Sequence, residues 1–216
     1  MKKHDELIDK IENCLPQTQC QFCSYAGCRP YAEAIVGQQE TVNRCLPGGT
    51  TTLVKLGALL NINVESMMAE MTQKTKFPAV AVIREAECIG CTKCITVCPV
   101  DAIIGSTKLM HTIISQVCTG CELCVPACPV DCIDLVNINE PDEEARNLLA
   151  TTSKQRYLNR QARLSSQEQE ENSSYETAKL QQQDLNQTIQ ARQNAIKLAV
   201  KRASLKKKIS DSAPSL

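Results

Sequence analysis

A helical repeat of apolar residues opens the chain. Four of them share one face of a predicted helix over residues 5–15, namely Leu7, Ile8, Ile11 and Leu15. Pro16 is expected to end this helix, because proline lacks the N–H that the next turn would need. Pro30 suits the first turn of a second helix, which Gly37 closes. The chain therefore begins with short amphipathic helices.

A third helix is predicted after the next loop, with Thr50 or Thr51 as its cap. Its inward side chains are Leu53, Leu56, Leu59 and Leu60. Residues 63–78 look like a linker that is partly helical near Glu65–Met71. We therefore predict a small helical domain over residues 1–62.

Short strands are predicted beyond the linker. The apolar block Ala79–Ile83 is typical of a strand, and another is expected at His111–Ile114. In two similar stretches, Cys98–Ile103 and Cys128–Ile133, a short helix is expected to end at Cys-Pro before the chain becomes extended. The pattern predicts a second domain over residues 79–140 and an α+β fold class.

The last third of the chain has a different character. No proline lies between Pro141 and Pro214, and glutamine is frequent. Residues 142–210 favour a long helix by propensity, but the apolar stripe is thin. Its members are Leu185, Ile189, Ile196 and Val200. We therefore expect residues 141–216 to form a Gln-rich tail that is helical or partly disordered.

The 14 cysteines define the candidate chemistry. Two runs with the spacing C-x-x-C-x-x-C-x-x-x-C-P begin at Cys88 and Cys118. This is the bacterial two-cluster ferredoxin spacing, in which the fourth cysteine of each run ligates the other run's cluster. The spacing assigns one [4Fe-4S] cluster to Cys88, Cys91, Cys94 and Cys128, and another to Cys98, Cys118, Cys121 and Cys124.

Zinc is the alternative for these two runs. Tetrahedral zinc also takes four cysteines, but commonly as two separated pairs. Three cysteines at successive three-residue intervals instead wrap one loop around a cluster. The duplication also accounts for both fourth cysteines, so the pattern favours iron–sulfur clusters.

A further group lies upstream, at Cys20, Cys23, Cys28 and Cys45. Its spacing alone is also typical of zinc or redox-active thiols. The surrounding residues are more specific, and closely resemble the [4Fe-4S] domain of the B subunit of the Rnf (Rsx) electron transport complex. They are Leu15–Cys20, Gly27–Ile35 and Asn43–Gly49. The resemblance continues through Cys88–Cys94, Met110–Thr112 and Cys118–Cys121, and covers about residues 5–138.

By this resemblance, the upstream group, Cys20, Cys23, Cys28 and Cys45, ligates a third [4Fe-4S] cluster. It also implies a flavoprotein donor that oxidises reduced nicotinamide, and other electron-transport subunits as partners. Members that build the ion-translocating complex usually begin with a transmembrane helix, whereas this chain starts directly at the soluble domain. The resemblance therefore implies a soluble variant without the anchor, an electron carrier by itself or a subunit of an oxidoreductase complex.

Charge is unevenly divided along the chain. Residues 1–140 carry 11 basic and 15 acidic side chains, and residues 141–216 carry 13 and 9. Each ligated cluster would add about −2 to the acidic part. The basic end comprises Lys197, Lys201, Arg202, Lys206, Lys207 and Lys208. It is a solvated helix end, a segment that folds back onto the acidic part, or a contact for an anionic membrane.

No signal-peptide-like or membrane-spanning run is evident in the sequence. We therefore expect the cytoplasm, or peripheral attachment to the cytoplasmic face of the inner membrane, where thiols stay reduced. The two remaining cysteines, Cys14 and Cys132, are expected to be ordinary buried thiols. The predicted function is electron transfer through three [4Fe-4S] clusters. The alternative is a regulatory protein that uses its basic tail to contact nucleic acid.

Overall fold

The computed structural model describes the backbone of residues 2–210 and the side chains of residues 3–204. Its helices are α1 (Lys2–Cys14), α2 (Cys28–Val36), α3 (Gly49–Leu60), α4 (Glu65–Lys74), α5 (Lys93–Val97), α6 (Cys124–Ala127) and α7 (Glu143–Ser210). Its strands are β1 (Ala79–Ile83), β2 (Ile103–Ile104), β3 (Thr112–Ile113) and β4 (Ile133–Asn137). The α+β class is confirmed. None of the helices within residues 2–210 combines the length and the apolar character that crossing a membrane requires.

The first four helices enclose the first core. Ile11 of α1, Tyr31 of α2 and Leu56 of α3 are at most 1% exposed. Met71 of α4 is also buried, and it belongs to the same cluster of side chains. Residues 65–74, which the sequence places in a linker, therefore contribute to this core.

The helices begin earlier than the sequence predicts. The helix α1 starts at Lys2 and not at residue 5, because the polar residues before Asp5 also favour helix. Neither Thr50 nor Thr51 caps α3, which follows Gly48 and makes no side-chain cap hydrogen bond. Its first residue, Gly49, has φ of 54°, a left-handed conformation that costs glycine little. The prediction of a threonine cap is wrong.

Two small antiparallel sheets form the second part of the fold. Strand β1 pairs with β4, with Ile83 opposite Ile133. Strand β2 pairs with β3, with Ile103 opposite Ile113. The predicted strand at Ala79–Ile83 is confirmed residue for residue. The second cysteine run begins at Cys118, thirty residues after the first at Cys88, and this thirty-residue repeat relates β1 to β3 and β2 to β4. The two sheets are therefore equivalent halves of one duplicated unit.

The described chain divides into two compact units, with the boundary between Gln161 and Ala162 inside α7. The first turns of α7 belong to the larger unit and contact both of its halves. The ammonium of Lys154 lies 3.0 Å from the carboxylate of Glu12 in α1. Arg160, which is 7% exposed, pairs with Asp101 at 2.6 Å and donates to the carbonyl of Thr96. This end of α7 therefore joins the helical half of the unit (residues 2–74) to its duplicated half (residues 79–137).

From Ala162 onward, α7 forms the second unit by itself. Every side chain described there, over residues 162–204, is exposed. The long helix expected for residues 142–210 is present. The side chains of Lys206, Lys207 and Lys208, and residues 211–216 altogether, lie outside the described part.

The buried guanidinium of Arg160 yields the first prediction. Replacement by alanine removes hydrogen bonds to a carboxylate and a carbonyl, which contribute about 1.5–3 kcal/mol when a charged group takes part. We expect Arg160→Ala to speed amide hydrogen exchange in residues 153–160 by about 10- to 150-fold, through local opening of α7. Arg156→Ala, at an exposed position of the same helix, is the control. Equal exchange in the two variants would contradict this role for Arg160.

Candidate metal centres

The four upstream cysteines surround one cavity of about 290 Å³, counting its open side. They come from the loop after α1, from the first residue of α2 and from the loop before α3. The four are Cys20, Cys23, Cys28 and Cys45. Four thiols around one space match the needs of a [4Fe-4S] core, in which each iron takes one cysteine.

Two buried glutamines hold this ligand loop in place. Gln17 and Gln19 are each 2% exposed and have left-handed backbones, with φ of 58° and 53°. The amide of Gln17 donates to the Glu12 carbonyl at 2.6 Å, and the amide of Gln19 donates to Gln17 at 2.9 Å. The side-chain oxygen of Gln19 then accepts the N–H of Cys28 at 2.8 Å. These bonds tie the first turn of α2 to the end of α1.

Burial makes the thiols at this cavity difficult to ionise. It raises the pKa of Cys28 to about 12, with smaller contributions from the neighbouring Cys20 and Cys23. Burial also raises the pKa of Cys45 well above its usual value, and the nearby Cys28 adds to the effect. A metal that binds here must displace the thiol protons, so coordination is coupled to proton release.

A second cavity, of about 320 Å³ counting its open side, lies in the duplicated half of the fold. The cysteines that line it are Cys98, Cys118, Cys121 and Cys124. Cys98 belongs to the first cysteine run, and the other three belong to the second. Burial raises the pKa of Cys121 to about 11 and that of Cys124 to about 12. The cysteines that the ferredoxin spacing groups together therefore line the same cavity.

The remaining predicted ligands also come near one another. Burial raises the pKa of Cys94, and the charges of Cys91 and Cys88 add to the rise. Cys132, buried at 2% exposure, lies with its sulfur 3.5 Å from that of Cys128. The pKa of Cys132 is raised to about 12, mainly by burial and further by the neighbouring Cys128 and Cys88. The pKa of Cys128 is lowered, because N–H donors such as that of Cys132 outweigh its desolvation.

The two extra cysteines have different surroundings. Cys14 is half-buried against the first core. Cys132 is a buried thiol, as the sequence predicts, but it also lies against a predicted ligand. In the part of the chain that the structure describes, no three Cys, His, Asp or Glu side chains have the arrangement of a single-ion site.

A hydrogen bond links one wall of the upstream cavity to one wall of the second cavity. Thr18 lines the upstream cavity, Thr119 lines the second, and the hydroxyl of Thr119 donates to the Thr18 carbonyl at 3.1 Å. Lys76 strengthens the same junction. Its ammonium lies 2.5 Å from the carboxylate of Glu122 and 3.8 Å from the ring centre of Phe22. One hydrogen bond thus connects the walls of two predicted cluster sites.

Sequence reasoning missed the side chains that support these sites. Gln17 and Gln19 resemble ordinary loop residues in the sequence, and only their burial and hydrogen bonds reveal what they do. The same holds for His111, a fully buried side chain whose Nδ1 lies 3.2 Å from the sulfur of Cys94. The thirty-residue repeat offered one usable signal, because His111 stands where the other repeat has Ala81.

Comparisons with known proteins match both cysteine-rich parts of the chain to iron–sulfur families. Residues 81–135 match the model of the "4Fe-4S dicluster domain" family, and residues 15–47 match a family described as "Putative Fe-S cluster". The two matched segments contain, between them, all twelve predicted ligands.

Curated relatives extend the similarity over both matched segments together. The B subunit of the ion-translocating oxidoreductase complex of Shewanella amazonensis is 58% identical over 136 residues, which are 63% of this chain and 70% of that protein. The corresponding B subunit of Salmonella arizonae is 55% identical over 139 residues, 64% of this chain and 72% of its own length. That of Shewanella loihica is 59% identical over 136 residues, again 63% and 70%. This chain therefore belongs to the family formed by the B subunits of ion-translocating oxidoreductase complexes, the Rnf/Rsx family that its motifs resemble.

Proposed function

We propose that this protein transfers electrons through three [4Fe-4S] clusters, as a subunit or relative of the Rnf/Rsx electron transport complex. The observation that carries the proposal is the composition of the two cavities, each of which is lined by four cysteines. A cluster bound at such a site supplies reversible one-electron exchange. The chain itself supplies the cysteines that bind the clusters, the burial that shields them from water and the contact between neighbouring sites.

The ligand sets follow the sequence assignment. The first cluster takes Cys20, Cys23, Cys28 and Cys45. The second takes Cys88, Cys91, Cys94 and Cys128. The third takes Cys98, Cys118, Cys121 and Cys124. Support for the exchange of fourth ligands comes from Cys98, which belongs to the first run and lines the cavity of the second.

Burial shields these sites from water. Cys94, Cys98, Cys121 and Cys124 are between 4% and 7% exposed. Low exposure of this kind is one of the factors that set the potential of an iron–sulfur site. The hydrogen bond from Thr119 to Thr18 supplies a direct contact between the walls of the first and third cluster sites. We propose that electrons pass between the two sites at this contact.

The partners follow from family membership. The relatives are named as subunits of an ion-translocating oxidoreductase complex. We propose that this chain likewise receives electrons from a flavoprotein that oxidises reduced nicotinamide, and passes them to other electron-transport subunits. The proposed location is the cytoplasm or the cytoplasmic face of the inner membrane.

Paired cysteine variants test both the cluster count and the ligand exchange. The anaerobically purified full chain should hold about 12 iron atoms. Because Cys98 and Cys124 are assigned to the same cluster, the double alanine variant should lose about 4 irons, no more than either single variant. Cys98 and Cys94 are assigned to different clusters, so their double variant should lose about 8.

The measurement is iron per chain, together with the low-temperature paramagnetic spectrum after reduction with dithionite. If Cys98 served its own run, the two double variants would exchange their iron contents. A colourless wild-type protein loaded with zinc would overturn the proposed function as a whole.

The glutamine ladder, Gln17 and Gln19 with their hydrogen bonds, yields a further prediction about the first cluster site. Gln19→Ala leaves the N–H of Cys28 and the oxygen of Gln17 buried without partners, at a cost of about 1–3 kcal/mol. We expect a ferrous chelator to remove about 4 irons some 5- to 150-fold faster from this variant than from wild type. Gln38→Ala is the matched control, since Gln38 is exposed, lies outside the lining of this cavity and also has a left-handed backbone, with φ of 55°. Equal rates of iron loss would contradict the role of the ladder.

The end of α7 suggests a second contact, with an anionic membrane. Residues 185–204 contain four basic side chains and no acidic one, all of them exposed, namely Arg192, Lys197, Lys201 and Arg202. Exposed apolar side chains lie among them, at Ile196, Leu198 and Val200. We propose that this segment binds anionic lipid headgroups, as basic helices with interspersed apolar residues do.

Vesicle binding tests this contact. Each lysine near an anionic surface contributes about 1 kcal/mol, so Lys197→Gln with Lys201→Gln should weaken binding to phosphatidylglycerol vesicles about 30-fold. Lys179→Gln, in the part of α7 where acidic residues predominate, should have little effect. Salt-sensitive binding to duplex DNA, without vesicle binding, would instead support the regulatory alternative.

A further inference from the structure

The thirty-residue repeat places equivalent backbone donors on the first cysteine of each run. The N–H of His111 lies 3.3 Å from the sulfur of Cys88. At the equivalent position, the N–H of Ala81 lies 3.4 Å from the sulfur of Cys118. The backbone therefore treats the two sites alike at this position.

A second pair of donors serves the fourth cysteine of each run. The N–H of Cys132 lies 3.4 Å from the sulfur of Cys128. The N–H of Ala102, thirty residues earlier, lies 3.3 Å from the sulfur of Cys98. The backbone donors to these two pairs of sulfurs are therefore balanced. At the sibling site the hydroxyl of Thr119 also lies near Cys121, but its hydrogen goes to the carbonyl of Thr18.

His111 breaks this balance at the first of the two positions. Its Nδ1 lies 3.2 Å from the sulfur of Cys94, whereas the methyl group of Ala81 has no hydrogen to donate. A coordinating thiolate only accepts hydrogen bonds, so Nδ1 must carry the hydrogen when Cys94 is a ligand. The other ring nitrogen, Nε2, is buried and has no partner among the described residues. In this tautomer Nε2 is an unpaired acceptor, which costs less free energy than a buried N–H without an acceptor.

The fold makes room for this ring. A Cβ added at Gly105 would lie 2.2 Å from Cδ2 of His111, so a side chain there would displace the imidazole. Gly105 also has φ of 154°, which L side chains rarely adopt. The position of His111 is therefore determined by its surroundings.

Cys132 breaks the balance at the second position. Its sulfur lies 3.5 Å from that of Cys128, and the equivalent Ala102 again offers only a methyl group. A free thiol has a hydrogen to donate, and a coordinating thiolate has none. The hydrogen bond therefore runs from Cys132 to Cys128. Both departures from the repeat thus add a donor to the same ligand set.

We propose that His111 and Cys132 raise the reduction potential at the site of Cys88, Cys91, Cys94 and Cys128 above that of its sibling in the repeat. Hydrogen bonds to ligand sulfurs favour the reduced, more negative state. The electron comes from the reduced flavoprotein of the proposed function, on which this inference rests, and no bond or proton changes place. An electron shared by the pair therefore resides mainly at this site. Both side chains act through a ligand and are positioning residues.

Two substitutions remove these two departures from the repeat. His111→Ala and Cys132→Ala each install the residue of the sibling position. The full chain with its clusters is titrated anaerobically, with paramagnetic resonance at each potential. We expect each variant to lower the higher midpoint potential of the ferredoxin pair by up to about 59 mV. For one electron, this shift corresponds to a tenfold change in the equilibrium constant of reduction. The lower midpoint should stay in place, and the double variant should lower the higher midpoint further than either single variant does.

Two further variants separate potential from structure. His111→Asn keeps an N–H donor near the Nδ1 position and should retain most of the wild-type potential, even if His111→Ala assembles poorly. Cys14→Ala removes a thiol that packs against the first core and should change neither midpoint.

Iron content keeps the two proposals distinguishable. Full iron in the variants with an unchanged higher midpoint would overturn the inference and leave the proposed function intact. Loss of about 4 irons in Cys132→Ala would also overturn the inference, because Cys132 would then be a ligand. A wild-type chain without iron would overturn both.

Discussion

The placement of sulfur is the constraint on which the rest of this structure depends. Four thiols face one cavity at each of two sites, although they come from segments far apart in the chain. The same cysteines supply much of the second core, where Cys94, Cys98 and Cys124 are buried together with Cys132. Small domains with little apolar surface to bury commonly need a metal to be stable. In this half of the protein the same cysteine side chains therefore set the ligand geometry and fill the core. A substitution that changes one of these also disturbs the other.

Backbone conformation satisfies that requirement twice. The pairs Thr92 and Glu122, and Asp101 and Asp131, have left-handed φ values that agree within one degree across the repeat. A left-handed backbone costs a non-glycine residue roughly 1–2 kcal/mol, so such pairs persist because the ligand loops require them. The loop conformation is thus the duplicated feature, and side chains are free to differ wherever they do not disturb it. His111 and Cys132 stand at two such places.

Sequence patterns predicted what depends on local spacing. The strand Ala79–Ile83 and the long helix over residues 142–210 follow from residue type and periodicity. The predicted start of α3 was wrong, because the left-handed Gly49 lets the helix begin before the threonines that were expected to cap it. Nothing local indicated that Arg160 would be buried against the duplicated half, or that Gln19 would accept the N–H of Cys28. Those contacts join residues that are distant in sequence or hidden in an irregular loop, where periodicity carries no signal.

The proposed cross-ligation and the two departures from the repeat together suggest an order among the proposed sites. The wall of the cavity lined by Cys118 is joined to the wall of the upstream cavity by the hydrogen bond between Thr119 and Thr18. It also shares α5 with the site of Cys94, because Cys98 follows directly at the end of that helix. In the proposed assignment, the middle position belongs to the site whose sulfurs receive backbone donors from Ala81 and Ala102. The methyl groups of these alanines stand where the other site has His111 and Cys132. If clusters bind as proposed, the site beside His111 would hold an electron more strongly than this middle site, so the two halves of the duplicated unit would differ in reduction potential.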